Sequence, residues 1–97
     1  MSALRFRPEV VVDLTDARAW YEARRPGLGD EFFGAAEGCL ASVEAQPRVF
    51  AVVHREVRRA MLGRFPYAVF FVVDGDVVEV IAVLHARRAP GRWQTRT

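Results

Sequence analysis

The alternation of apolar and polar residues predicts two strands and a tight turn in the second half of the chain. The run from Tyr67 to Val73 is dense in aromatic and β-branched side chains, which favour strands. Asp74-Gly75-Asp76 is a turn signal, because Gly tolerates a positive φ and Asp hydrogen-bonds to its own backbone. Val77 to Leu84 then runs back. Since an isolated hairpin is only marginally stable in water, these strands must be the centre of a larger sheet.

Two helices are predicted in the first half. Pro8 opens the first helix, since proline is tolerated at the first helical position, and Arg24 to Gly27 ends it. The second helix runs roughly from Gly29 to Ala45, and Pro47 follows its end. The apolar face of the first helix is formed by Val10, Leu14, Ala17, Trp20 and Tyr21.

A stripe of small residues lies along the second helix. Its members are Gly34, Gly38, Ala41 and Ala45. Glycine inside a helix costs about 1 kcal/mol relative to alanine. Two glycines one turn apart therefore indicate that another backbone comes close, either the first helix folded back as a hairpin or a helix of a partner.

The remaining elements complete an α+β fold. Leu4 to Arg7 alternates as a short strand, Arg48 to Arg55 reads as a connector, and Val57 to Leu62 reads as a strand. Ala89 to Gly91 breaks the pattern before a tail from Arg92 to Thr97. The predicted order is β-α-α-β-β-β, with two N-terminal helices against one face of a mainly antiparallel four-stranded sheet. We expect a single domain over residues 1–97.

The charge is distributed unevenly along the chain. Residues 1–47 carry 5 Arg against 8 acids, whereas residues 48–97 carry 9 Arg against 4 acids. A basic half suits an anionic partner, either nucleic acid or an acidic protein segment, although an ordinary solvated surface has the same composition. The N-terminus has no secretion signal, and no apolar run approaches the ~20 residues of a spanning helix, so we expect a cytoplasmic protein without a membrane partner.

The end of the last predicted strand carries the candidate chemistry. Alternation places Ile81, Val83, His85 and Arg87 on one face. His85 could be a general acid or base, or a structural cap of the strand. Arg59, on the neighbouring strand, could clamp a phosphate together with Arg87, or both could pair with carboxylates.

Two aromatic residues have similar alternatives. Tyr67 could carry a proton or stack on a base, or it could be a core residue with its hydroxyl at the rim. Trp93 could stack on a base or attach the tail to the sheet. No metal and no cofactor are predicted, because two His and one Cys are widely spaced and no glycine-rich phosphate loop is present.

Ordered short motifs link the chain to a known family. They are Trp20-Tyr21-Glu22 and Pro26-Gly27-Leu28-Gly29, Phe32, Pro47, Val57-Arg58-Arg59, Phe65-Pro66-Tyr67, and the ending His85, Arg87, Arg88, Pro90, Trp93, Arg96. In this order they resemble toxins of bacterial type II toxin–antitoxin systems, the RelE/ParE superfamily. The resemblance covers nearly the whole chain and implies an α+β toxin that a cognate antitoxin neutralises.

The resemblance implies one of two targets. RelE-like toxins cleave mRNA on the ribosome, and ParE-like toxins poison DNA gyrase without being nucleases. RelE-like catalysis commonly uses basic residues that include Lys and a C-terminal Tyr. This chain has no Lys and no Tyr after Tyr67, so ParE-like inhibition of gyrase is slightly favoured. The alternatives are a metal-independent, ribosome-dependent endoribonuclease and an inactive toxin-fold binding module.

The resemblance also assigns candidate sites. The predicted target-binding surface is Arg58, Arg59, Arg64, Arg87, Arg88, Trp93 and Arg96. If the chain is a nuclease, the predicted catalytic residues are His85, Tyr67, Arg59 and Arg87. The predicted antitoxin-binding residues are Val10, Leu14, Trp20 and Tyr21.

Overall fold

The structure, a computed structural model, describes residues 2–88 and 90–96. Ala89 in the predicted break and Thr97 at the end of the predicted tail lie outside the described residues. The strands are β1 (Ala3–Phe6), β2 (Val52–His54), β3 (Val57–Met61), β4 (Tyr67–Asp74) and β5 (Val77–His85). The helices are α1 (Pro8–Arg24), α2 (Leu28–Ala45) and α3 (Pro90–Gln94), and a 3₁₀ turn covers Pro47–Val49.

The strands form one sheet in the order β1-β5-β4-β3-β2. β1 runs parallel to β5, and the other pairs are antiparallel. The predicted α+β class, with two N-terminal helices packed on a mainly antiparallel sheet, is confirmed. The sheet has five strands rather than the predicted four, because part of the predicted connector pairs with β3: the Arg59 N–H donates to the Ala51 carbonyl, 3.1 Å away. The short helix α3 begins inside the predicted break, at Pro90, and continues into the predicted tail as far as Gln94.

The helical hairpin is closed by a carboxylate and a glycine. Glu22 on α1 accepts hydrogen bonds from the backbone N–H groups of Gly27 and Gly29, which satisfies donors at the start of α2. A Cβ on Gly29 would lie 2.8 Å from the Arg18 carbonyl oxygen, so this is the position where the two backbones approach closely. Gly34 and Gly38 face open space, so of the two alternatives for their stripe, the close approach of α1 is wrong.

The face of the sheet that the helices cover holds the main core. Its centre is an aromatic cluster in which Tyr21 stacks on Phe32 at 5.3 Å, and both rings contact Phe65 and Tyr67 edge-on. Phe32 is fully buried. Edge-on and offset contacts are the favourable geometries for aromatic pairs. The cluster joins α1 and α2 to the start of β4.

The outer face of the sheet has a smaller core that α3 covers. Trp93 stacks on Phe70 with ring centroids 4.4 Å apart. The pairing of β4 with β5 is irregular between Phe70 and Phe71, and this bulge sets Ile81 into the outer core beside Ala82. The prediction that Ile81 shares a face with Val83 is therefore wrong, because the bulge breaks the alternation.

Helices of membrane-spanning length and hydropathy are absent from the described residues.

Candidate functional site

A cleft lies between α1 and the end of β5. It has a volume of about 300 Å³ and is lined by Asp13, Asp16, Ala17, Trp20, Tyr67, Leu84, His85, Arg88 and Arg92. An adjoining hollow of about 320 Å³ shares Trp20, Tyr67, His85 and Arg88 and adds Tyr21 and Pro66. We call the two together the α1–β5 cleft. Tyr67 and His85 meet there because the first residue of β4 is the register partner of the last residue of β5.

His85 is held by the backbone of the turn that follows it. Its Nδ1 atom accepts hydrogen bonds from the N–H groups of Arg87 and Arg88, at 3.2 and 3.3 Å. Partial burial lowers the pKa of His85 below its usual value, and the Arg88 and Arg87 guanidinium groups lower it further. The neutral ring therefore has its lone pair on Nδ1, engaged by two amides, and its proton on Nε2.

The surroundings of Tyr67 favour its protonated form. Burial raises the pKa of Tyr67 above its usual value, although the charges of Arg88 and Arg92 oppose the shift. Its ring meets that of His85 edge-on, with centroids 5.6 Å apart. At neutral pH the cleft thus contains a protonated phenol beside a neutral imidazole.

The cleft carries charges of both signs. Arg88 and Arg92 face Asp13 and Asp16 across it. Trp20 forms part of the rim with 44% of its surface exposed. The Arg24 guanidinium carbon lies 3.7 Å from the centre of the Trp20 ring, a cation–π contact that fixes the indole.

Asp13 completes the open edge of β5. Its side chain is buried and accepts a hydrogen bond from the Val83 N–H at 3.0 Å. Arg96 pairs with both carboxylate oxygens, at 2.7 and 3.1 Å, and also donates to the Ile81 carbonyl. β1 pairs with β5 only as far as Val80. Beyond that point the side chains of Asp13 and Arg96 bind the backbone groups of β5 that a longer β1 would have bound. Together they fasten the C-terminal segment to the sheet.

The structure separates the arginines that were predicted to act together. Strand β5 ends at His85 and the chain turns, so Arg88 rather than Arg87 lines the α1–β5 cleft. Arg87 is exposed. Arg59 is paired with Phe70 and lies on the outer face, on the side of the sheet opposite the cleft. The predicted catalytic set is therefore divided: His85 and Tyr67 meet, and Arg59 and Arg87 are elsewhere.

Three members of the predicted target-binding surface have structural roles. Trp93 is only 6% exposed and attaches α3 to the sheet, which is the alternative that the sequence left open. Arg96 is bound to Asp13. Arg58 donates to the carbonyls of Arg48 and Phe50. The exposed members of the set are Arg59, Arg64, Arg87 and Arg88.

The predicted antitoxin-binding set is mostly buried. Val10 is 1% exposed, Tyr21 belongs to the aromatic cluster, and Leu14 is partly buried against the same core. These three side chains have little or no free surface for a partner, because the sheet already covers the apolar stripe of α1. Trp20 alone presents a substantial exposed area.

Sequence reasoning missed the acids and one cation of the cleft. Asp13 lies three residues after Val10 and four before Ala17, a helical spacing that puts it on the buried face of α1. That spacing was a usable signal. Arg92 had no such signal, since only the fold of the C-terminal segment brings it to the cleft. Asp16 lies on α1 four residues before Trp20, so helical spacing places both on the same side of the helix. In the part of the chain that the structure describes, no cluster of His, Cys, Asp and Glu is arranged to hold a metal ion.

The fold is that of a known class of small toxins. A solved structure described as "Chromosomal ParDE TA system from P. aeruginosa" superposes with a TM-score of 0.78. The match covers 88% of this chain and 96% of that chain at 17% identity. At this identity the superposition shows that the two chains share a fold.

The family follows from the sequence. A family model described as "ParE toxin of type II toxin-antitoxin system, parDE" matches residues 4–90. Because the match spans most of the chain, the protein belongs to the ParE toxin family, and the predicted membership of the RelE/ParE superfamily is confirmed. No curated protein gives a significant match.

Proposed function

We propose that this ParE-family toxin inhibits DNA gyrase by binding to it in the cytoplasm, and that a cognate antitoxin neutralises it. Membership of a type II toxin family supports the toxin role. The observation that favours gyrase over RNA cleavage is the state of His85, whose Nδ1 lone pair is occupied by two backbone amides.

A ribonuclease needs a base that can take the proton of the attacking 2′-hydroxyl. A neutral His85 has no free lone pair for that proton, and a protonated Tyr67 has none of sufficient basicity. Arginine is always protonated and cannot serve as the base. Asp16 is the remaining group of the cleft with free oxygens, and its charge opposes the approach of a phosphodiester. These features support a binding surface rather than a catalytic centre.

The charge of the α1–β5 cleft supports a protein partner. Two carboxylates and two guanidinium groups line the cleft together with an exposed indole, although Asp13 is buried and lies 3.9 Å from Arg92. Protein interfaces are enriched in aromatic residues and Arg and have a polar rim, whereas nucleic-acid sites are dominated by cations. Trp20 would be the anchor, and Arg88 and Arg92 would pair with acids of the partner.

One observation favours the nuclease alternative. Tyr67 and His85, two groups that can carry protons, contact each other in the α1–β5 cleft with ring centroids 5.6 Å apart, so one phosphate placed beside them would reach both. In that case Arg88, and not Arg59 or Arg87, would stabilise the charge that develops on the phosphate.

The experiment uses the purified toxin, released from its antitoxin, in parallel assays of gyrase supercoiling and of mRNA cleavage on programmed ribosomes. We expect inhibited supercoiling and intact mRNA. The test variant is His85→Asn, because the Asn oxygen replaces Nδ1 as acceptor while the side chain cannot exchange protons. Full inhibition by His85→Asn is expected. Cut mRNA that becomes intact with His85→Asn would overturn the proposal.

The antitoxin part of the proposal has its own test. Trp20 is exposed and fixed by Arg24, so a segment that covers the α1–β5 cleft must contact it. We expect Trp20→Ala to weaken antitoxin binding about tenfold or more, as for an aromatic hot spot. The control is Phe6→Ala, which removes an exposed ring on β1 outside the cleft. Equal affinities of the two variants would place the antitoxin elsewhere.

A further inference from the structure

Two arginines of the C-terminal segment lie at one buried carboxylate. Arg96 donates to both oxygens of Asp13, at 2.7 and 3.1 Å, and its side chain is only 13% exposed. The Nη2 atom of Arg92 lies 3.9 Å from Oδ1 of the same carboxylate, beyond hydrogen-bond distance, and its side chain is 60% exposed. The carboxylate is therefore bound by Arg96, and Arg92 stays at the surface.

The local fold gives both arginines access to this carboxylate. They are four residues apart, and helical turns continue past the end of α3. The Thr95 N–H donates to the Gly91 carbonyl, and the Arg96 N–H donates to the Trp93 carbonyl. Residues four apart on a helical turn project to the same side. Both guanidinium groups thus approach the same oxygen, and the closer contact of Arg96 decides which of them is paired.

Asp13 depends on a cation because of its burial. Its side chain is 1% exposed, and the backbone supplies only the hydrogen bond from the Val83 N–H. A buried carboxylate without a counter-charge is strongly unfavourable. Among the described residues, Arg92 is the other cation that forms an ion pair with Asp13. Loss of the Arg96 charge would therefore draw Arg92 onto the carboxylate.

We infer that Arg96 is a positioning residue for the proposed binding surface: by occupying Asp13, it keeps Arg92 free to pair with an acid of the partner. The inference rests on the proposed function, because Arg92 lines the α1–β5 cleft. Arg96 acts through Arg92 and needs no contact with the partner. Once captured by Asp13, Arg92 would be neutralised, and the cleft would lose one of its two cations.

A merely structural role of Arg96 leads to a different expectation. The Arg96 carbonyl accepts a hydrogen bond from Arg7, which also pairs with Glu79 at 3.3 Å, so Arg7 is a second attachment of the same residue. If Arg96 only fastened the C-terminal segment, loss of either contact would have similar consequences. If it occupies Asp13, only loss of its guanidinium group opens the carboxylate to Arg92.

The first experiment follows the side-chain Nε–H signals of the arginines by NMR in the free toxin. In Arg96→Gln we expect the Arg92 signal to shift and its guanidinium hydrogens to exchange more slowly with water, because the group enters a buried ion pair. In the control Arg7→Gln, the Arg92 signal should stay unchanged. An unchanged Arg92 signal in Arg96→Gln, or equal changes in the two variants, would overturn the inference.

The second experiment measures the toxin concentration that halves gyrase supercoiling, with each variant shown to be folded by circular dichroism. Arg96→Gln should require about fivefold more toxin, as for the loss of one exposed ion pair with the partner. Combining Asp13→Asn with Arg96→Gln should recover most of this loss. The neutral Asn no longer attracts Arg92, and its oxygen still accepts from the Val83 N–H.

This recovery is the result that a detached segment cannot give. A double variant no better than Arg96→Gln would therefore overturn the inference. In an Arg92→Gln background, Arg96→Gln should cause no further loss of inhibition, because the residue through which it acts is absent. A further fivefold loss there would show that Arg96 acts by another route.

The two experiments separate this inference from the proposed function. If the unaltered toxin leaves gyrase active, the proposed function fails, and the NMR signals of the free toxin still decide whether Arg96 holds Arg92 free. If Arg92 is captured in Arg96→Gln while gyrase inhibition is unchanged, the proposed function stands and the inference is overturned, since the partner does not use Arg92.

Discussion

The two faces of the sheet are closed in different ways. On the helix side, two long helices and a cluster of four aromatic rings cover the strands. On the outer side, one five-residue helix packs on the sheet, and the C-terminal segment is attached through Trp93 and Arg96. The helix side therefore carries most of the packing energy, and the outer side depends on two attachments.

The difference is functional as well as structural. The C-terminal segment that closes the outer face also brings Arg88 and Arg92 to the α1–β5 cleft. A residue that fastens this segment thus controls the proposed binding surface without touching a partner. We expect substitutions in the helix-side core to unfold the whole protein, and those at the two attachments to affect the C-terminal segment first.

The largest effect is expected for Phe32→Ala. Phe32 is fully buried between Tyr21, Phe65 and Tyr67, so its removal leaves a cavity at the centre of the cluster. The free energy of unfolding should fall by about 4 kcal/mol, measured by urea denaturation. The control is Phe33→Ala, at a half-exposed position on the same helix, which should cost much less. Similar losses would show that the cluster is not the main core.

The next effect is expected for Trp93→Ala on the outer face. The lost stacking on Phe70 should reduce the free energy of unfolding by about 3 kcal/mol, at the low end for a buried tryptophan because α3 lies at the surface. Trypsin should cleave after Arg92 faster than in the unaltered protein, under conditions where both remain folded. An unchanged cleavage rate would mean that Trp93 does not hold α3.

A smaller effect is expected for Asp13→Asn. The amide oxygen can still accept from the Val83 N–H, but the charged pair with Arg96 is lost, so the free energy of unfolding should fall by about 2 kcal/mol. Asp16→Asn, one turn further and exposed, should change it by less than about 0.5 kcal/mol. A double-mutant cycle with Arg96→Gln would show a coupling energy near zero if the pair did not contribute.

The smallest effect concerns pH. The pKa of His85 is lowered in the folded state, so the unfolded chain takes up the proton first as the pH falls. Stability is therefore complete above about pH 6.5 and decreases as the pH falls through the folded pKa. His85→Asn should remove this decrease. NMR titration should place the His85 midpoint below 6.5, and Arg88→Gln should move it upwards; a midpoint above 6.5 would contradict the assignment.

Much of the fold could be predicted from the sequence. The predicted α1 and β4 begin at the observed residues, Pro8 and Tyr67. Both starts could be predicted because a proline and a run of β-branched residues determine the local backbone conformation. β2 was missed because its three residues lack a distinct pattern and are defined by pairing with β3. The face of Ile81 was wrong because a bulge in β5 depends on register with β4, which no local signal records.

The candidate site was predicted only in part. Tyr67 and His85 were found because each lies at one end of an apolar strand, Tyr67 at the start of β4 and His85 at the end of β5. Arg88 lines the cleft, although Arg87 was predicted to do so. β5 ends at His85 and the chain turns there, so the alternation of a strand no longer places Arg87 beside His85.

The sequence by itself determined the class of the fold, the family, and the basic second half of the chain, because periodicity, turn residues and charge are local properties. Only the tertiary structure decided which arginines are free and which are structural. Arg88 and Arg96 both lie in the arginine-rich C-terminal stretch, yet Arg96 is bound to a buried carboxylate and Arg88 faces the cleft. The role of a charged side chain depends on the partners that folding brings to it, and those partners lie far away in the chain.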